Sequence, residues 1–117
     1  MRKYKDLRVW ESSLELAVFV YDVTNKYPTS EKYGLVNQMR RASVSIVSNI
    51  AEGCRGSDKE LKRFLTIALG SASELESQIL LSEGLGYISP LHFSKLLEDI
   101  DHILRMLNSF ITNLKSR

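Results

Sequence analysis

Between Gly34 and Gly56 the chain reads GLVNQMRRASVSIVSNIAEGCRG, and its apolar residues return with the helical period. Stepping about 100° per residue from Leu35 places Leu35, Met39, Ala42, Ile46, Ile50 and Gly53 on one narrow stripe. Val36, Val47 and Cys54 stand to one side, and Val44 and Ala51 lie further round. The apolar arc spans roughly 200°, where about 100° suffices for a helix lying on one core. Opposite it are Asn37, Arg41, Ser45, Ser48, Asn49 and Glu52. A solvated face normally uses Lys and Glu, which favour helix and solubility. Ser and Asn are weaker helix formers, but small enough to let another backbone come close. Two readings follow: a helix central to a small bundle with an undemanding outer face, or a helix whose serine-rich back meets another subunit.

The same periodicity predicts three further helices. Leu7, Trp10, Leu14, Ala17 and Tyr21 follow a 3-4-3-4 seam. This predicts a helix over 6–26 that stops before Pro28, because the residue preceding proline is pushed out of helical geometry. The short link at Pro28 makes helices one and two antiparallel. Ser30 is the expected N-cap of helix two, over 31–54, with Gly53 and Gly56 as its stop. Ser57-Asp58-Lys59-Glu60 is a capping-box pattern opening helix three, over 58–84. Its seam is Leu61, Leu65, Ala68, Ala72, Leu75 and Ile79, broadened by Phe64; Gly70, Ser71 and Ser73 form a second small-residue patch, and Gly84 and Gly86 end it. Ser89-Pro90 suits N-cap and N1 of helix four, over 90–114, with Phe93, Leu97, Ile100, Leu104, Leu107, Ile111 and Leu114 as its seam. No apolar-polar alternation bounded by turn residues suggests a strand. The expected fold is all-α, an antiparallel up-and-down four-helix bundle forming one domain over 1–117.

The chain has 117 residues, 44% hydrophobic and 26% charged, as for an ordinary soluble domain. A single cysteine, Cys54, excludes an internal disulfide and fits a reducing compartment. No run approaches the ~18 apolar residues of a membrane span, and no signal-peptide core opens the chain. A cytoplasmic protein without membrane partners is expected. Arg40 lies at the edge of the apolar arc and Arg41 in the polar one. A buried arginine requires a carboxylate, and Glu74 or Glu76 on helix three is the expected partner, within a chain or between chains. The alternative is a pair of arginines whose heads reach water.

No enzyme site stands out. Asp99-x-x-His102 resembles half of a bundle di-iron motif, but such sites need two acidic-x-x-His pairs and further inward carboxylates. A solvated polar face containing Glu98, Asp101 and His102 is the better reading. Cys54 falls at a helix C-terminus, where the dipole disfavours a thiolate. The glycines are not in phosphate-loop or dinucleotide spacing. No metal or cofactor is expected. The positive charge is more informative. Net charge is only +2, yet Arg2, Lys3, Lys5 and Arg8 gather at the start, and Arg55, Lys59, Lys62 and Arg63 around the link between helices two and three. In an up-and-down bundle helices one and three begin at the same end, so these residues form one basic end. Such an end suits phosphate backbones, bound without sequence preference and with strong salt dependence. In an oligomer weak contacts multiply; in a monomer the same residues make a solubility patch. An assembly scaffold for another protein is the alternative function.

Asp6-Leu-x-Val-Trp10, Tyr33-Gly-Leu, Arg40-Arg-Ala-Ser-Val-Ser-Ile-x-Ser-Asn-Ile-Ala-Glu-Gly53, Gly70-Ser71, Glu74-Leu-Glu76 and Leu85-Gly-Tyr87 together resemble the four-helix-bundle proteins encoded in intervening sequences of bacterial 23S ribosomal RNA genes. The resemblance spans nearly the whole chain, and the Arg40–Gly53 segment is its most specific part. Position 47, valine here, is often proline in that family, a change that should only straighten helix two. The resemblance implies an antiparallel four-helix bundle assembled into a homopentameric ring. It also implies similarity to the accessory proteins of diversity-generating retroelements, basic barrels that work with nucleic acid and a reverse transcriptase. Self-association, RNA or DNA, and a nucleic-acid enzyme are the partners it suggests.

Overall fold

The computed structural model describes residues 3–115. Its elements are a 3-10 turn at Tyr4–Asp6, α1 at Arg8–Thr24, a 3-10 turn at Thr29–Glu31, α2 at Leu35–Gly53, α3 at Asp58–Gly84 and α4 at Pro90–Lys115. No strand occurs among the described residues. The four helices form a bundle with principal extents of 46 × 22 × 20 Å. α3 alone, with 27 residues, spans about 40 Å at 1.5 Å per residue, so the bundle is little longer than its longest helix. α2 packs most extensively on α3, α4 packs on α3, and α1 packs on both α2 and α4.

The stripes of α2 and α3 are buried as their periodicity requires. Leu35, Met39, Ala42, Ile46, Ile50 and Gly53 of α2 face Leu61, Leu65, Ala68, Ala72, Leu75 and Ile79 of α3 in one continuous core. Each fully buried Leu, Ile or Met contributes about 1.5–3 kcal/mol of transfer free energy. Ser57 caps α3 by accepting the Glu60 N–H at 3.2 Å, and Ser89 caps α4 by accepting the His92 N–H at 3.2 Å. α3 ends at Gly84, and Gly86 just past it has a φ of 74°. The Tyr87 N–H bonds to Ser82 O and the Gly86 N–H to Glu83 O, both at 3.0 Å, the paired bonds of a Schellman motif.

Three expectations change. Of the expected α1 seam only Ala17 is buried: Leu7 and Trp10 pack partly against the core, and Leu14 and Tyr21 are exposed. Val9, Ser13, Leu16, Val20 and Val23 face the core with it. α1 is apolar on two adjacent faces, and the neighbours it meets choose between them. Ser13 can sit inside because its hydroxyl donates to Val9 O at 2.6 Å, as Thr24 does to Val20 O at 2.6 Å. On α4 the buried line runs through Leu96, Ile100, Ile103, Leu107, Ile111 and Leu114, leaving Phe93, Leu97 and Leu104 half-buried. α2 begins at Leu35 rather than 31, so Ser30 is not its cap. Glu31 takes that role from the preceding turn, its Oε1 accepting the Leu35 N–H at 3.1 Å while its Oε2 accepts the Tyr87 hydroxyl at 3.0 Å. α2 does end at Gly53, as expected, without a left-handed residue, since Gly86 is the one glycine with positive φ among the described residues. The backbone simply turns after Gly53, with the Gly56 N–H bonded to Gly53 O at 3.3 Å.

One carboxylate therefore ties the start of α2 to the link between α3 and α4, beside the Tyr27 and Tyr87 rings, whose centroids are 5.7 Å apart. Burial pushes the Tyr27 phenol above its ordinary value, and the hydrogen bond to Glu31 does the same for Tyr87. Both raised values favour the neutral phenol in the folded state. Their stabilisation is complete below the unfolded value near 10 and is lost as pH rises through the folded values. Urea unfolding followed from pH 8 upward should show stability level to about pH 9 and falling above about pH 10. Tyr27→Phe should flatten that fall.

Candidate nucleic-acid interface

At the start of the described chain the Leu7 N–H closes the first 3-10 turn on Tyr4 O at 3.0 Å. The Tyr4 ring stands edge-on to Trp10, centroids 5.2 Å apart, and Tyr4, Leu7 and Trp10 all pack against the core. This anchor leaves Lys3, Lys5 and Arg8 exposed. Arg8, with Leu7 and Val9, lines a groove of about 350 Å³ whose other wall is Met106, Ser109, Phe110 and Asn113 of α4. The beginning of α1 thus lies beside the last turns of α4. Arg2 lies outside the described residues.

The second basic group is carried by the link after α2 and the first two turns of α3. Arg55, Lys59, Lys62 and Arg63 are all exposed. Leu61 is fully buried between them, and Phe64 half-buried, so one side of this turn grips the core while the other is wet. Arg63 donates to Glu60 at 3.2 Å, and its guanidinium lies 4.4 Å from the Phe64 ring centroid. An exposed pair of this kind contributes under about 1 kcal/mol, and its geometry keeps the guanidinium flat against the helix. Cys54, in the same link, is buried.

Within the single chain, the arginines of α2 do not pair with Glu74 or Glu76 of α3. Among the described residues no ion pair joins Arg40 or Arg41 to Glu74 or Glu76; the ion pairs are Glu60–Arg63, Lys95–Asp99 and Asp101–Arg105. Arg40 turns towards α1. Its Nε donates to Thr24 Oγ1 at 3.0 Å and its Nη2 to Asn25 Oδ1 at 2.9 Å and Tyr21 O at 3.3 Å. Its guanidinium also sits 4.6 Å from the Tyr21 ring centroid. Neutral acceptors at the end of α1 satisfy this cation, so it needs no carboxylate. Arg40→Met keeps the stem and removes the donors; it should lower stability by about 1–2 kcal/mol, read from the urea midpoint. Arg41 and Glu74 share the wall of a groove between α2 and α3 without pairing.

His92 stands edge-on to Phe19, centroids 5.7 Å apart. Asp99 is taken up by Lys95 at 2.9 Å, and it lines with His102 a shallow α1–α4 groove of about 310 Å³. Among the described residues no group of three or more His, Cys, Asp or Glu could hold a metal ion. No helix among the described residues is long and apolar enough to cross a membrane.

Residues 5–109, from the basic N-terminal turn almost to the end of α4, match the family of the 23S rRNA-intervening sequence protein. The chain belongs to that family. A solved structure of similar shape is that of a protein with unknown function from the S23 ribosomal protein family of Bacteroides thetaiotaomicron VPI-5482. It is 28% identical, covers 89% of this chain and 95% of its own, and superposes with a TM-score of 0.82. No curated protein matches the chain. Within the 23S rRNA-intervening sequence family match lie all the candidate basic residues except Arg2 and Lys3.

Proposed function

We propose that this chain is a non-enzymatic, homo-oligomeric protein that binds the phosphate backbone of RNA at its basic end. The observation that carries the reading is the exposure of Lys3, Lys5, Arg8, Arg55, Lys59, Lys62 and Arg63 on two segments anchored by buried neighbours. The inter-helix contacts support alternating helix directions. Ser45 meets Ser71, and earlier on α2 Met39 meets Ser82, later on α3. Arg40, near the start of α2, meets the end of α1. Helices running up and down in this way bring the starts of α1 and α3 to one end, and the two basic groups with them.

Self-association is the second part of the reading. Leu14, Val18 and Tyr21 of α1 stand one turn apart on one face, 40%, 66% and 43% exposed. Val44 of α2 is also exposed, with small Ser48 one turn on. This strip of apolar and small side chains lacks Lys and Glu, and a neighbouring subunit would cover it. A ring, pentameric as the family resemblance suggests, would repeat the basic end around its rim and multiply weak phosphate contacts. The alternative, a scaffold for a protein partner, is favoured by Leu91, 78% exposed beside a groove of about 570 Å³ lined with Val23, Tyr87 and Ile88.

Filter binding to a structured RNA across a salt series tests the main reading. Affinity should fall steeply and log-linearly with salt; no retention at low salt would leave the scaffold. Light scattering tests assembly separately, and a monomer in solution would remove the ring.

A further inference from the structure

A groove of about 470 Å³ runs along the first half of α2 and the second half of α3. Tyr33, Asn37 and Arg41 line it at four-residue spacing, and Glu74 and Gln78 face them from α3, also one turn apart. Within it the Ser45 and Ser71 hydroxyls bridge the two helices at 2.8 Å. Its polar groups are incompletely matched. Gln78 Oε1 is shut off from solvent and has no hydrogen-bond partner, an arrangement that is ordinarily unfavourable. Arg41 and Glu74 line the same groove without pairing among the described residues. Tyr33, just before α2, is 86% exposed, the most exposed large hydrophobic side chain among the described residues.

A ligand that engages Tyr33, Arg41 and Glu74 needs a flat face for the tyrosine, paired acceptors for a guanidinium and paired donors for a carboxylate. Guanine has all three. Its O6 and N7 accept from an arginine fork, while its ring N–H and exocyclic amine present adjacent donors to a carboxylate. No other common base combines two adjacent donors on one edge with paired acceptors on another. Unstacked bases held on an aromatic face and read along their edges are the usual target of sequence-selective RNA binding.

We propose that this groove is a guanine-recognition site, with Tyr33 stacking on the base, Glu74 accepting from its Watson–Crick edge and Arg41 donating to O6 and N7. The proposal builds on the nucleic-acid reading above: the basic end holds phosphates and the groove reads one base. A free guanine nucleotide shares the chemistry, and the test separates the two sources.

The test uses the full chain and two labelled oligomers, an unstructured uridine oligomer and the same oligomer with one guanosine. Fluorescence anisotropy should show the guanosine oligomer binding about tenfold tighter, within the range of a good bidentate base contact. Glu74→Gln should remove that preference without weakening the uridine oligomer, while Tyr33→Ala should weaken the guanosine oligomer and, to a smaller extent, the uridine oligomer, because stacking tolerates any base. Lys59→Glu with Arg63→Glu should weaken both oligomers and keep the ratio. If neither oligomer binds at low salt, the backbone reading has failed. Titration of GMP then decides the groove by itself: saturable binding lost in Glu74→Gln supports a free nucleotide as the ligand. Equal affinity for the two oligomers together with no GMP binding overturns the proposal. So does a changed oligomeric state in Glu74→Gln or Tyr33→Ala, which would assign the groove to contact between copies.

Discussion

Replacing Gly53 by valine is expected to destabilise the protein by about 3 kcal/mol, the upper part of the usual range for overpacking. Gly53 is the last residue of α2 and lies against the first turns of α3. A Cβ there would stand 2.9 Å from Phe64 Cβ, 3.1 Å from Leu61 Cδ1 and 3.4 Å from Leu61 Cα. The nearest of these is the root of a side chain, and the last is backbone, so neither can rotate away. The two helices must part. Gly53→Ala meets the same atoms, but gains about 0.5–1 kcal/mol of helix propensity, so it should cost less than valine. Gly70 is the internal comparison, an exposed residue in the middle of α3 with nothing within 4 Å of the added atom. Gly70→Ala should therefore raise stability by about 0.5–1 kcal/mol. Urea unfolding of the three variants checks the ordering. The effect reaches function because Leu61 and Phe64 anchor the turn that presents Lys59, Lys62 and Arg63.

Reversing two charges on that turn should have the largest effect on binding. Lys59→Glu with Arg63→Glu removes two candidate phosphate contacts and puts two carboxylates in their place. Each phosphate contact adds nearly one to the slope of log affinity against log salt. The double variant should therefore lower that slope by about two, and lower affinity at low salt by about 100-fold. The fold should tolerate it. Both side chains are exposed, the lost Arg63–Glu60 pair is worth under about 1 kcal/mol, and a glutamate at 59 suits the first turn of α3. Lys26→Glu, an exposed cation past the end of α1, is the control and should leave the slope unchanged. Filter binding reads both quantities. An unchanged slope in the double variant would count against the basic end as the RNA surface.

Much of this was legible from spacing. The seams of α2 and α3 were readable because no second unbroken apolar line at three- and four-residue spacing competes with them: the neighbouring line is interrupted by Arg40 and Ser43 on α2 and by Ser71 on α3. The caps of α3 and α4 were readable because Ser57 and Ser89 act on N–H groups three residues away in the same chain. α1 was ambiguous because two neighbouring faces are apolar, and on α4, where Ile100, Leu107, Ile111 and Leu114 are buried as expected, Leu96 and Ile103 go inside in place of the equally apolar Leu97 and Leu104 beside them. The acceptors that Arg40 meets within the chain, a hydroxyl, an amide and a carbonyl at the end of α1, were not readable from spacing, because their position depends on how α1 ends. Tyr33, Asn37 and Arg41 recur every four residues, a visible signal, but Glu74 and Gln78 have no spacing relation to them.

The amino-acid sequence by itself determined four helices, their approximate bounds, which face of α2 and α3 turns inward and where positive charge concentrates, because all of these depend on period and on neighbours within one or two turns. Tertiary structure alone decided which face of α1 is buried, that Glu31 reaches both α2 and Tyr87, that Arg40 belongs to α1, and that α2 and α3 enclose a groove with an unmatched Gln78. Those outcomes depend on distances between residues far apart in the chain, and only the packed bundle sets them.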